Sequence, residues 1–370
     1  MDAAALRARF DHAGDLTIGV EEEILLLHPV TLDLAPVADE LLGRLDGDPR
    51  FKPELPAAQI ETITRPAQSA VDAVEQLAAA RRDLHDACAG LAVPAVAGVH
   101  PTASGNGVLR HGGRYDAIRA AYRAVATRQL VASLQVHVAV GGAQRSLSVY
   151  NALRAYLPEI AALAANAPYY EGADTGLASV RPEICVLLPR QGVPPALDSW
   201  EQFAAELAWG GESGSMGDPG QWWWELRPHP RLGTLELRVP DAQTTLKEAA
   251  GLIAFVHALV ATLAARADAG DLPPAVPTWR IQENRFAALR DGVEGSLADL
   301  GSARRWQTRE RLLGLVDEVA PMAVRLGSAA MLAHTRASID SNGALRQRQA
   351  CSEHGLDGLP AWLAQRFLDP

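Results

Sequence analysis

Hydrophobic and polar residues alternate in four short segments of the chain, residues 17–27, 59–64, 132–140 and 233–239. Alternation at every second position predicts β-strands with one buried face, because successive side chains of a strand point to opposite sides of the sheet. Between these segments, alanine- and leucine-rich stretches have the spacing of helices. These stretches are residues 67–91, 114–129, 146–165, 200–209 and 245–269. After Trp279 the pattern stays helical almost to the end, with breaks at Gly292, Gly301 and 341–343.

Strands dispersed among long helices favour an α+β fold. No repeat, low-complexity tract or long linker divides the sequence. We therefore expect a single catalytic domain over residues 1–370, with a sheet-forming part at about 15–245 and a mainly helical part at about 245–370. In one sheet, the apolar strand faces would pack on the helices, and the polar faces would form a concave floor.

The first strand begins with three consecutive glutamates in the sequence GVEEEILLL, residues 19–27. Glu21 and Glu23 share the polar face, opposite Ile18 and Val20. Glu22 falls on the apolar side. We expect Glu22 to lie at a sheet edge or to reach outward, and to be dispensable.

The other three strands also have one apolar and one polar side. Their polar sides carry Gln59 and Glu61, then Gln135 and His137, and finally Thr234, Glu236 and Arg238. Carboxylates that converge on one floor repel each other unless cations compensate. Glutamate oxygens and histidine nitrogens suit Mg²⁺ or Mn²⁺, and Mg²⁺ commonly binds substrate phosphates as well. The floor thus predicts a metal and nucleotide-phosphate site, although a half-solvated sheet and a structural His137 are the alternatives.

Composition and charge narrow the choice of partners. The formal net charge is −10, and no run of lysines or arginines is present, which argues against nucleic acid and anionic membranes. The three cysteines are widely spaced, which is typical of a reducing compartment. Residues 1–15 lack the apolar core of a secretory signal, and no stretch approaches ~18 uninterrupted apolar residues. We expect a cytoplasmic protein that acts on small molecules.

Six motifs occur in order between about residues 17 and 292: GVEEE, PELPAAQIETIT, QVHVAVG, ANAPYYEGADTGLASVR, RPHPRLGTLELRVPDAQTT and WRIQENRFAALRDG. Together they resemble the carboxylate–amine ligase family of the type-2 glutamate–cysteine ligase group, within the glutamine synthetase-like superfamily. The resemblance implies a curved, mainly antiparallel sheet with helices on its outer face and a helical C-terminal third. It also makes a homodimer an expectation.

The resemblance also implies roles for individual residues. The matching metal-ligand positions are Glu21, Glu23, Glu54, Glu61, Glu236 and Gln135. The matching positions near phosphate or substrate are Arg238, Arg231, His137 and Arg181, the last as a contact to a substrate carboxylate. His137 would lie near the nucleotide phosphates or would share the metal. At Gln135 many family members carry histidine, and a neutral amide is a weaker ligand. Arg231 could instead pin its own loop, and Arg181 could pair with Asp174 or Glu183.

The activity implied by the resemblance is an ATP- and Mg²⁺-dependent (or Mn²⁺-dependent) ligation. A carboxylate, typically the γ-carboxylate of glutamate, becomes an acyl phosphate, and an amine such as cysteine then forms the amide. The alternatives are a phosphotransferase acting on a carboxylate or guanidino group, and a non-catalytic nucleotide-binding member. No P-loop or Rossmann fingerprint is present. The consecutive residues Trp222, Trp223 and Trp224 predict either an aromatic wall or core packing, and we expect Cys88 and Cys185 to be buried packing residues.

Overall fold

Seven strands form the main sheet of the protein, which a computed structural model describes over residues 2–369. Within residues 2–369 there are eleven strands, of which β6–β7 and β10–β11 form two separate hairpins. They are β1 (Ile18–Leu27), β2 (Phe51–Pro53), β3 (Gln59–Ile63), β4 (Val93–Ala95), β5 (Leu134–Val138), β6 (Tyr169–Tyr170), β7 (Ala173–Asp174), β8 (Leu226–His229), β9 (Thr234–Leu237), β10 (Ser296–Ala298) and β11 (Arg305–Gln307). The main sheet has the order β2-β3-β1-β5-β9-β8, with β4 also paired to β1. All of its pairs are antiparallel, as expected.

Helices fill most of the remaining chain. They are α1 (Ala3–Asp11), α2 (Ala38–Arg44), α3 (Ala70–Ala87), α4 (Gly113–Tyr122), α5 (Ala143–Leu153), α6 (Leu157–Ala164), α7 (Arg181–Cys185), α8 (Trp200–Glu212), α9 (Leu246–Asp268), α10 (Thr278–Asp291), α11 (Thr308–Arg325), α12 (Ala329–Asp340), α13 (Gly343–His354) and α14 (Leu359–Gln365). The four predicted strands and the helical C-terminal third are confirmed. The short hairpin β10–β11 interrupts that third, where the sequence pattern predicted only a break at Gly301.

The apolar face of the sheet packs on helices. Val20 of β1, Val136 of β5 and Leu237 of β9 belong to one buried cluster with residues of α3, α5 and α9. A capping box of Thr245 and Glu248 begins α9. This helix is long and apolar enough to cross a membrane, but 89% of its most apolar window is buried, which is typical of a core helix. The opposite, polar face of the sheet is left for the site.

A tight hairpin sets the register of the last two strands. Gly233, between β8 and β9, has φ +70°, and a β-carbon there would lie 2.5 Å from the carbonyl oxygen of Arg9. The hairpin pairs Arg227 of β8 with Glu236 of β9, and Glu236 in turn pairs with His137 of β5. These residues therefore form one row across the sheet.

The expectation for Glu22 is wrong. Its side chain is fully buried on the helical side of β1 and forms an ion pair with Arg81 of α3, which is also fully buried. The strand lies inside the sheet, between β3 and β5, so Glu22 has no edge from which to reach solvent. A carboxylate on an apolar face is tolerated here because a guanidinium satisfies it.

Candidate active site

A cavity of about 490 Å³ lies over the polar face of the sheet. Eight of the ten predicted site residues line it: Glu21, Glu23, Glu54, Glu61, Gln135, Arg181, Arg231 and Arg238. The other two, His137 and Glu236, are buried beside Glu21. Alternation along four strands thus brings seven of the predicted residues to one region. Glu54, Arg181 and Arg231 reach the same region from outside these strands.

Glu21, His137 and Glu236 form the first of two groups that could hold a metal ion, with one possible ligand atom of each within 4.8 Å of the others. Nε2 of His137 lies 3.3 Å from Oε1 of Glu21 and 4.0 Å from Oε2 of Glu236. On the other side of the ring, Nδ1 lies 3.0 Å from Oγ1 of Thr234. Nε2 is buried and has no hydrogen-bond partner among the described residues. Such a ring, oriented through one nitrogen and open at the other, is typical of a histidine ligand.

The electrostatics of this first group favour charged side chains. Burial opposes ionisation of Glu21, but the neighbouring His137 holds the pKa of Glu21 below its usual value. Burial likewise opposes the charge on Glu236, yet Arg227 and then Arg238 hold the pKa of Glu236 well below its usual value. For His137, the carboxylates outweigh burial and raise the pKa. The position between Glu21 and Glu236 therefore attracts positive charge, as a metal site must.

Glu236 is held by two arginines. Arg227 donates from Nε to Oε2 at 2.5 Å and from Nη2 to Oε1 at 3.0 Å, and Arg238 also binds Oε1. Oε2 accepts only one of these bonds, and it is the oxygen nearest to His137. Because a carboxylate oxygen has two lone pairs, Oε2 can still bind a metal ion.

The second group that could hold a metal ion consists of Glu23, Glu54 and Glu61. Burial raises the pKa of Glu54 to about 7, and the charge of Glu23 adds to this effect. Burial also raises the pKa of Glu61 well above its usual value, followed by the charges of Glu54, Glu21 and Glu23. For Glu23, burial raises the pKa against the opposing charge of Arg238. Carboxylates that resist ionisation together are suited to a divalent cation, which would remove their repulsion.

Gln135 connects this second group to Arg238. Its Nε2 donates to Oε1 of Glu23 at 3.1 Å, and its Oε1 accepts from Nη1 of Arg238 at 2.5 Å. Both polar atoms of the amide are therefore engaged by protein partners. This geometry favours a bridge between a carboxylate and an arginine over the metal-ligand role that the resemblance implied for Gln135.

Arg227 is a site residue that the sequence patterns did not identify. It is 6% exposed, lines the cavity, and has Glu236 as its only carboxylate partner among residues 2–369. The sequence ELRPHPR around it contains two prolines, which argue against a central strand. Since β8 is an edge strand of the sheet, Pro228 is tolerated. The signal in the sequence that could have identified Arg227 is therefore a proline-containing segment next to a predicted strand.

Arg181 is 6% exposed and is held mainly by Asp241 rather than by Asp174 or Glu183. Its Nε donates to Oδ1 of Asp241 at 2.7 Å, and its Nη2 donates to the carbonyl oxygens of Arg238 and Val239. These bonds tie α7 to the end of β9. They favour a supporting role, while contact with a substrate carboxylate stays a prediction.

Arg231 lies at the rim of the cavity. Its side chain is 59% exposed and forms an ion pair with Asp218, which belongs to a different loop. Nearby, Nδ1 of His229 accepts hydrogen bonds from the backbone of Arg231 and Leu232. Burial lowers the pKa of His229 to about 4, so this ring is neutral at pH 7. Because an exposed ion pair contributes little to stability, Arg231 can exchange Asp218 for an anionic ligand.

The three consecutive tryptophans have different environments. Trp222 is buried and packs edge-on against Phe203, with ring centroids 5.6 Å apart, so the core interpretation holds for this residue. Trp223 instead lines the cavity, beneath the guanidinium of Arg190 at 5.6 Å. Cys185 also lines the cavity, whereas Cys88 is buried as expected.

Comparison with known proteins gives a consistent result. The family model for glutamate-cysteine ligase family 2 (GCS2) matches residues 17–356. A Haloferax volcanii protein named glutamate–cysteine ligase is 35% identical over 358 residues, 95% of this chain and 96% of its own length. A Rubrobacter xylanophilus relative, provisionally named glutamate–cysteine ligase 2-3, is 35% identical over 358 residues, with 95% and 96% coverage.

A solved structure shares the fold. The glutamate–cysteine ligase of Francisella tularensis, in complex with AMP, aligns with a TM-score of 0.67 over 97% of this chain and 90% of that chain. At 11% identity this match shows the fold alone, which is the glutamine synthetase-like fold. The protein is therefore a carboxylate–amine ligase, and the chain belongs to glutamate–cysteine ligase family 2.

Proposed function

We propose that the protein is an ATP- and Mg²⁺-dependent ligase that activates the γ-carboxylate of glutamate as an acyl phosphate and joins it to an amine such as cysteine. The observation that carries the proposal is the pair of three-residue groups on one sheet face, with Arg238 and Gln135 between them. Mn²⁺ is an equally suitable ion for such oxygen and nitrogen ligands.

Two metal positions suit a reaction between anions. Glu21, His137 and Glu236 would hold one ion, and Glu23, Glu54 and Glu61 would hold another. Bound Mg²⁺ or Mn²⁺ neutralises the negative charge of phosphate oxygens during phosphoryl transfer. The protein needs no covalent nucleophile, because the carboxylate of the substrate attacks the γ-phosphate directly.

The reaction has two balanced steps. In the first, a carboxylate oxygen forms a bond to the γ-phosphorus of ATP as the bond to the β,γ-bridging oxygen breaks, which releases ADP. In the second, the amine attacks the acyl carbon, inorganic phosphate leaves, and the nitrogen loses a proton. Arg238, which lines the cavity with its side chain 23% exposed, is suited to bind the transferred phosphate or the substrate carboxylate. We propose the same for Arg231 at the rim, toward phosphate.

Nucleotide binding is supported by the fold match, since the Francisella tularensis ligase was solved with AMP. Trp223, Ile118 and Leu188 supply apolar surface in the same cavity as the carboxylates. A cavity of about 490 Å³ is within the usual range for a small-molecule site. We propose that one part of it holds the nucleotide and another the amino-acid substrates.

We also propose that the chain works as a single catalytic domain in the cytoplasm, as a homodimer. The three free cysteines support a reducing compartment. The site residues come from segments spread between Glu21 and Arg238, which supports treating the sheet and its helices as one catalytic unit.

The decisive experiment is a screen of amino-acid carboxylates and amines with ATP and Mg²⁺, scored by ADP formation and product mass. We expect ADP and phosphate to appear only with both glutamate and an amine, together with a product whose mass equals the amide. A stable phosphorylated product without amine would instead identify a phosphotransferase. Tight nucleotide binding with no turnover for any pair would identify a non-catalytic member.

A further inference from the structure

Glu225 is a buried carboxylate in the cavity wall that belongs to neither group of metal-competent residues. It directly precedes β8, and its side chain is 7% exposed. Glu225, Arg227 and His229 occupy alternate positions and all line the cavity, so they share the polar face of the sheet. Arg227 is occupied by Glu236, which leaves Glu225 to be explained separately.

One oxygen of Glu225 is fully engaged by Arg285 of α10. Oε1 lies 2.7 Å from Nε and 2.6 Å from Nη2 of that guanidinium. The other oxygen, Oε2, is buried and has no hydrogen-bond donor among residues 2–369. An ionised acceptor left without a partner is costly, and buried polar groups of this kind generally serve a ligand or water.

The local charge is negative. Nη1 of Arg285 also binds Oε1 of Glu183 at 2.9 Å, so two carboxylates share one guanidinium. The next arginine along the wall, Arg181, is paired with Asp241. Glu225, Glu183 and Arg285 together therefore carry one net negative charge, and the second oxygen of Glu225 is the part of this cluster that has no donor.

We propose that Glu225 binds the ammonium group of an amino-acid substrate. A primary ammonium brings three N–H donors and a positive charge, which match one free oxygen of a net-negative cluster. A divalent metal ion requires several oxygen ligands, and among residues 2–369 Glu225 belongs to neither group of three side chains that could hold one. This inference rests on the proposed function, because it assigns a group of the acyl donor or of the amine to this wall.

Matched pairs of ligands that differ only by the amino group test the inference and distinguish its two sources. L-glutamate is compared with glutarate, and L-cysteine with 3-mercaptopropionate, by calorimetry in the presence of Mg²⁺ and a non-hydrolysable ATP analogue. We expect the wild-type protein to prefer the amino acid in at least one pair. Glu225→Gln should weaken binding of that amino acid about 10- to 100-fold and leave its deamino analogue unchanged.

If Glu225→Gln no longer prefers L-glutamate over glutarate, the site binds the acyl donor. If it no longer prefers L-cysteine over 3-mercaptopropionate, the site binds the amine. Glu183→Gln is the matched control, because Glu183 binds the same arginine but does not line the cavity, and it should keep much more of the preference than Glu225→Gln. Glu225→Asp keeps the charge but withdraws it, so an intermediate preference is expected. Denaturation midpoints confirm that the variants are folded.

The inference is overturned if the wild-type protein shows no preference in either pair, or if Glu225→Gln and Glu225→Asp both retain it. Turnover is measured separately by ADP formation with glutamate and cysteine. Preferential binding that depends on Glu225 without any amide product would contradict the proposed function alone. Amide formation that is indifferent to Glu225 would contradict only this inference.

Discussion

Arg81 donates two hydrogen bonds to Glu22, from Nε to Oε2 at 2.8 Å and from Nη2 to Oε1 at 2.5 Å. The same guanidinium binds backbone carbonyl oxygens of Gln243, Thr244 and Phe367. It thereby links β1 and α3 to the segment after β9 and to the C-terminal segment. Glu21 and Glu23, one from each proposed metal position, flank Glu22 in β1. The buried contact of Glu22 with Arg81 therefore fixes this strand on the side opposite the cavity.

Glu22→Ala should be strongly destabilising. Removal of one partner leaves Arg81 buried without its counter-charge, which typically costs about 3–5 kcal/mol. The free energy of unfolding, from urea denaturation, measures the effect. Glu40→Ala is the control, because Glu40 pairs with Arg44 on the surface and should change stability by less than about 1 kcal/mol. A Glu22→Ala protein as stable as the control would contradict this role.

Arg81→Met should destabilise the protein more than Glu22→Met. Both variants break the ion pair, but loss of Arg81 also leaves the three backbone carbonyls without their donor. Each unsatisfied buried acceptor adds about 1–3 kcal/mol. A double variant should be more stable than Arg81→Met, rather than show the sum of both losses, because it also removes the carboxylate that Arg81→Met leaves buried and unpaired. Equal effects of the two single variants would show that the carbonyl contacts contribute little.

The period-two pattern was sufficient to predict which glutamates face the site. It placed Glu21, Glu23 and Glu61 correctly because burial of the opposite face fixes the register of a strand. It could not reveal Arg81, which lies 59 residues from Glu22 and meets it only through tertiary packing. Alternation tells which side a residue faces, but not whether a polar residue on the apolar side has a partner there.

Arg227, Glu225 and Arg285 escaped prediction for related reasons. Arg227 lies in a proline-containing edge strand, and Glu225 directly precedes it. Such a segment has only a weak strand pattern. Arg285 is on a helix whose contact with the cavity depends on how that helix packs. The division of the proposed metal ligands into two groups could not be predicted from the sequence either, since it depends on strand pairings such as Glu23 with Glu61 and His137 with Glu236.

Glu54→Gln should stabilise the metal-free protein at pH 8 more than at pH 5. Burial raises the pKa of Glu54 to about 7 in the folded protein, from an ordinary value of 4.5. Below pH 4.5 the residue is protonated in both states. As the pH rises from 4.5 to about 7, the unfolded state loses its proton first, so the folded state becomes less stable. The neutral amide in Glu54→Gln does not titrate, so the variant does not lose folding stability in this way as the pH rises.

The check is thermal denaturation in EDTA at both pH values, repeated with Mg²⁺ at pH 8. The difference in melting temperature between Glu54→Gln and the wild-type protein should increase with pH. Mg²⁺ should raise the melting temperature of the wild-type protein more than that of the variant, because the ion compensates the same charges. A difference that is constant with pH, or that decreases, would contradict the raised pKa of Glu54.

Glu21→Gln and Glu236→Gln should both abolish metal-dependent ADP formation, but only the second should also unfold the protein readily. Glu21 is 26% exposed, and its loss leaves no buried charge unpaired, so stability should change by less than about 1.5 kcal/mol. Glu236 is the only carboxylate partner of Arg227 among residues 2–369, and its neutralisation should cost about 3–5 kcal/mol.

For Glu21→Gln we expect a loss of at least about 100-fold in turnover, as for other lost electrostatic contacts. Turnover and urea denaturation of the same preparations separate the two effects. Wild-type turnover in a folded Glu21→Gln protein would remove this residue from the metal site.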